Sequence, residues 1–89
     1  MFHSFTVVYA QTVEEIYVKE NEMVVLRCYG GYNHGGANLT WTSYTTQEMD
    51  LTNMSSAEQR QMDMLVLGRT VVILKTSVNH QGNYTCSLG

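Results

Sequence analysis

Short runs of Val, Ile, Leu, Tyr and Thr recur along the chain between polar or glycine-rich breaks. That punctuation predicts strands at Thr6–Ala10, Glu15–Val18, Met23–Tyr29, Leu39–Tyr44, Thr70–Leu74 and Asn83–Leu88. Two of these runs alternate with a period of two. Val24, Leu26 and Cys28 share one face while Arg27 points away; Leu39 and Trp41 share another while Asn38, Thr40 and Thr42 oppose them. Both patterns predict half-buried strands. Gly30-Gly31-Tyr32-Asn33-His34-Gly35-Gly36 cannot continue a strand and reads as a connector. One stretch departs from the strand pattern. Ser55-Ser56-Ala57-Glu58 has the form of a helix capping box, and Met62 and Leu65 follow at helical spacing. A turn or two of helix there, or an irregular loop with a short strand, both fit.

Eighty-nine residues allow one domain, taken here as 1–89. A chain this short has a small core that gains from a covalent staple. With 44% hydrophobic and 15% charged residues it is globular rather than disordered. The net charge of −3 and the lack of any basic run argue against nucleic-acid binding. No apolar run approaches the length of a membrane span, and Met1-Phe2-His3-Ser4-Phe5 lacks the features of a secretory leader. Proline is absent, so glycine and asparagine must make the bends.

Cys28 and Cys86 have no CxxC spacing, which argues against a metal cluster. Two buried thiols and one disulfide both remain open at this point. A bridge closing a loop of about 59 residues would stabilise the fold by roughly 4 kcal/mol. No Gly-x-Ser-x-Gly elbow, HExxH, phosphate loop or dinucleotide fingerprint occurs. His3, His34 and His80 have no ligand-like spacing and are expected as exposed polar residues. A cysteine centred in an alternating apolar strand reads as structural rather than nucleophilic. No catalytic residue, metal or cofactor is therefore expected.

Cys28, Trp41 thirteen residues on, and Tyr84-Thr85-Cys86 together resemble the signature of immunoglobulin domains. The resemblance implies an all-β, two-sheet antiparallel sandwich, with a Cys28–Cys86 disulfide between the sheets and Trp41 packed on it. Gly82-Asn83-Tyr84-Thr85-Cys86 is similar to the tyrosine corner, in which the Tyr hydroxyl bonds back to the preceding turn. The segment from Val71 to Cys86, with Leu26-Arg27-Cys28 and Asn38-Leu39-Thr40-Trp41, resembles ectodomains of the interleukin-1 receptor family. Most immunoglobulin domains place an Asp where His80 stands, paired to an Arg such as Arg60 or Arg69 would supply. The usual ion pair is therefore not expected.

Asn38, Asn53 and Asn83 each begin an Asn-x-Ser/Thr sequon and are the candidate N-glycosylation sites, which agrees with a disulfide and an extracellular location. Asn38 alternates outward from Trp41; Asn83, beside the corner, is expected to be the most enclosed. The family resemblance implies a receptor ectodomain module that helps bind an interleukin-1-like cytokine. The alternative is an adhesion or structural domain engaging like domains. Tyr32, Asn33 and His34 are the candidate recognition loop, unless the glycines there merely allow a bend.

Only Ser87, Leu88 and Gly89 follow Cys86, so the sandwich is expected to lack its own C-terminal strand G. That leaves the edge of strand F unpaired and open to strand addition. Phe2–Tyr9 reads as an ordinary strand A or as a strand donated to another molecule. It is not expected to serve its own strand F, because a return crossover would need more chain than 10–14 provides. Self-association or strand exchange follows as an expectation.

Overall fold

The computed structural model describes residues 1–9, 12–28 and 39–88. Eight strands occur among them: β1 (Phe2–Tyr9), β2 (Thr12–Lys19), β3 (Val24–Arg27), β4 (Leu39–Tyr44), β5 (Glu48–Asp50), β6 (Met64–Leu67), β7 (Thr70–Ile73) and β8 (Gly82–Leu88). A short helix α1 (Ser56–Gln61) precedes β6, and a 3-10 turn (Val78–His80) precedes β8. The strands form a five-stranded sheet in the order β2-β1-β8-β4-β5 and a three-stranded sheet in the order β3-β7-β6. The protein is thus mainly β, with two sheets packed on one core. Phe5, Trp41 and Tyr84 enter that core from the larger sheet, and Leu26, Met64, Val71 and Ile73 from the smaller.

Alternation places these side chains. In β3, Leu26 is buried between exposed Val25 and Arg27, with Cys28 buried just beyond the strand. In β4, Trp41 and Ser43 are buried while Tyr44 is exposed. β1 alternates most regularly, burying His3, Phe5, Val7 and Tyr9. Each large apolar side chain buried this way contributes on the order of 2 kcal/mol by removal from water.

The expected open edge of the last strand is closed. β1 runs parallel to β8, with Phe5 to Tyr9 opposite Gly82 to Cys86. It pairs antiparallel with β2 from Phe2↔Lys19 to Tyr9↔Thr12. Phe2–Tyr9 therefore serves its own β8, and is neither donated elsewhere nor laid beside β3. The crossover objection applied only to a strand antiparallel to β8. A parallel β1 needs no crossing to reach β2, because the two are antiparallel neighbours with Tyr9 opposite Thr12. The crossing to the other sheet comes later, at Glu20–Met23, where Asn21 takes a positive φ of 72°.

The ambiguous middle stretch contains both alternatives in succession. Ser55 caps α1, accepting the Glu58 N–H through its hydroxyl while the Glu58 carboxylate accepts the Ser55 N–H. Those hydrogen bonds hold the Glu58 carboxyl below its ordinary value. Leu65 is not helical; it lies in β6, which pairs with β7. Strands β5 and β6 are additions to the six predicted runs.

Gly82 starts β8 at φ 152°, and a Cβ there would collide with the Tyr44 carbonyl. Gly82→Ala is expected to destabilise the protein by more than about 2 kcal/mol through strain and displaced backbone. Phe5→Ala should cost about 3–5 kcal/mol if β1 completes its own molecule's core. Urea denaturation of both variants checks this; an unchanged midpoint for Phe5→Ala would remove β1 from the core.

Candidate functional site

The signature residues converge. Cys28 and Cys86 form a disulfide with an S–S distance of 2.02 Å, joining the end of β3 to β8 and so one sheet to the other. Trp41 on β4 stands directly opposite Cys86 in the ladder and is fully buried. Its indole N–H donates to the Gly68 carbonyl at 3.1 Å, in the turn between β6 and β7. Gly68 has φ +60°, which glycine adopts without steric cost in such a two-residue hairpin turn. The neighbouring Arg69 donates its guanidinium to the Cys28 carbonyl at 3.0 Å, and its own carbonyl accepts the Cys28 N–H at 2.9 Å. The turn thus grips both the cystine strand and the tryptophan.

Tyr84 is fully buried and donates its hydroxyl to the His80 carbonyl at 2.6 Å, closing a corner over the 3-10 turn. Burial pushes its phenol well above the ordinary tyrosine range. The Phe5 ring lies 5.8 Å from it, tilted by 42°. His80 is buried, contrary to the exposure expected of it. Its Nδ1 accepts the Ser77 N–H at 3.0 Å, so its Nε2 carries the hydrogen and donates to the Met62 carbonyl at 2.7 Å. A neutral imidazole here joins the corner to the end of α1, with no arginine involved. His3 is buried as well, 3.0 Å from the exposed-side carboxylate of Glu20. Sequence reasoning missed both because their partners are distant backbone and side-chain groups. A recess of about 190 Å³ lined by Met62, Asp63, Ser77 and His80 adjoins the corner, yet both His80 nitrogens are already engaged.

Around this core the sheets present two different outer faces. On the larger sheet, one row runs Val13–Val8–Thr85–Thr42–Asp50 and the next Glu15–Thr6–Asn83–Tyr44–Glu48. That face mixes threonines, Asn83 and rim acids with exposed Val13, Tyr17 and Tyr44. The smaller sheet carries one apolar outer row, Val25, Val72 and Leu65, beside a mixed one, Arg27, Thr70 and Leu67. The signal was present in Met64-Leu65-Val66-Leu67 and Val71-Val72-Ile73-Leu74, since continuous apolar strands are typical of sheets covered on both faces.

Asn83 is exposed, not enclosed: it points outward while Tyr84 points in. Asn53 is exposed too, and its Nδ2 donates to Asp50 Oδ2 at 2.6 Å. Asn38 and the candidate loop Tyr32, Asn33 and His34 lie outside the described residues. Among the described residues no helix is long and apolar enough to cross a membrane, and no cluster of three metal-ligating side chains occurs. No family model, curated protein or solved structure matches the chain.

Tyr84→Phe should destabilise the protein by about 1–2 kcal/mol, leaving the buried His80 carbonyl without its donor. The raised phenol pKa also fixes a pH window. Folding retains the proton, so its contribution is complete below about pH 10 and is lost as pH rises further. In an alkaline ultraviolet titration, one tyrosine should ionise only as the protein unfolds; in Tyr84→Phe that late component should vanish.

Proposed function

We propose that the chain is a non-catalytic, extracellular protein-binding module of the immunoglobulin type, part of a cell-surface receptor. The observation that carries this reading is the single assembly of Cys28–Cys86, Trp41 opposite Cys86, and the Tyr84 hydroxyl on the His80 carbonyl. That assembly is of the kind the sequence signature implies, and this supports the reading. A cystine joining two sheets suits an oxidising compartment, which supports the extracellular location. In this reading β3, β7 and β6 correspond to strands B, E and D, and β8 to strand F. β1 takes the seat of strand G with reversed direction. The resemblance of Val71–Cys86 to interleukin-1 receptor ectodomains makes an interleukin-1-like cytokine the proposed ligand, bound together with a neighbouring domain.

A second reading, an adhesion or spacer domain engaging like domains, is favoured by one feature. The apolar row Val25–Val72–Leu65 ends at β3, whose other edge has no strand beside it among the described residues. Such an edge beside an apolar face suits association between copies. Biosensor measurements against interleukin-1-type cytokines, run beside light scattering of the chain alone, separate the two. Saturable cytokine binding by a monomer is expected. Self-association that Val25→Lys abolishes, with no cytokine response, would establish the second reading instead.

A further inference from the structure

We propose that Asn83 carries an N-linked glycan that lies across the outer face of the five-stranded sheet, its first sugar packed on Tyr44. The inference rests on the extracellular reading and adds a modification that governs which face can meet a partner.

Asn83 lies on β8, the middle strand of five. Its side chain points to solvent, and Thr85, two residues on, completes the sequon from the same face. The Asn83 amide makes no hydrogen bond to another described residue. Asn53 differs: Asp50 accepts its Nδ2 hydrogen, and the Ser55 hydroxyl of its sequon caps α1. Directly across the ladder from Asn83 stand Thr6 on one side and Tyr44 on the other. Tyr44 is 59% exposed, a large ring with no apolar neighbour in its own row. The C–H face of an N-acetylglucosamine attached at Asn83 can rest on that ring, giving the exposed aromatic an apolar contact.

The chemistry is that of the secretory pathway. Asn83 Nδ2 forms a bond to C1 of an oligosaccharide carried on a polyprenyl diphosphate. The bond from C1 to the diphosphate oxygen breaks, the amide loses one proton, and the polyprenyl diphosphate leaves. A glycan on the central strand covers the rows holding Thr6, Thr42, Thr85 and Tyr44. The five-stranded face is then closed to protein contact, and the apolar face around Val25, Leu65 and Val72 is left open.

The test is secretion of the chain from a eukaryotic cell line behind a cleavable leader, followed by intact mass and glycopeptide mapping. Asn83 should be occupied in most molecules, with occupancy kept in Thr85→Ser and lost in Thr85→Val, which preserves side-chain shape and strand preference. Tyr44→Ser should then lower Tm by several degrees more in the glycosylated protein than in the Thr85→Val background. An unmodified Asn83 in folded, secreted protein overturns the proposal, as does an equal Tyr44→Ser effect in both backgrounds. Cytokine binding is scored separately. An occupied Asn83 without any partner would defeat the receptor reading alone, and an empty Asn83 with intact binding would defeat the glycan alone.

Discussion

The tie between the two sheets is what the rest of the molecule is built around. Neither sheet is large, and the smaller has only three short strands. The Cys28–Cys86 bridge fixes one point of contact between them. The hydrogen bond from the Trp41 indole to Gly68 fixes a second, and the reciprocal bonds of Arg69 with Cys28 hold the turn that receives it. With those points set, Leu26, Met64, Val71 and Ile73 face Phe5, Trp41 and Tyr84 across a single interior. The covalent link acts mainly on the unfolded chain by shortening its reach. The hydrogen bonds act in the native state, where an unpaired indole N–H or carbonyl would cost more than its pairing contributes.

β1 completes this arrangement from the other end of the chain. Its parallel seat beside β8 brings Phe5 against Tyr84 and removes the edge that this seven-residue strand would otherwise expose. The path onward is held by Thr76, which is fully buried. Its hydroxyl donates to the Lys19 carbonyl, its N–H donates to Glu22, and its carbonyl accepts the Asn21 N–H. Three bonds from one residue thus fix the point where the chain leaves the larger sheet for the smaller.

Local patterns carried much of this. Alternation around Leu26, Cys28 and Trp41 was legible because a period of two survives wherever one face is buried. The spacing from Cys28 through Trp41 to Tyr84 and Cys86 pointed to the assembly that the structure displays. The Ser55–Glu58 capping box marked the start of α1. β6 was obscured because Met62 and Leu65 mimic a helical face just after that box, and an unbroken apolar run has no period of its own. The seat of β1 was hidden for a different reason. Parallel or antiparallel pairing with β8 is decided by space around the finished core, 77 residues away along the chain. His80 and His3 were misread because burial of a polar ring depends on partners, the Met62 carbonyl and Glu20, that no local window contains.

The two outer faces then differ in what they offer: one broad, with acids at its rims and Asn83 beside Tyr44 at its middle, the other carrying the apolar row Val25–Val72–Leu65 beside an edge that is open among the described residues. Both depend on the sheets being held back to back by the cystine. Comparison of guanidinium denaturation for the oxidised protein and for protein reduced with its thiols blocked, together with thiol titration of the untreated form, tests that tie most directly. The account predicts no titratable thiol in the untreated protein and a loss of about 4 kcal/mol on reduction. Two reactive thiols, or coincident denaturation curves, would contradict it.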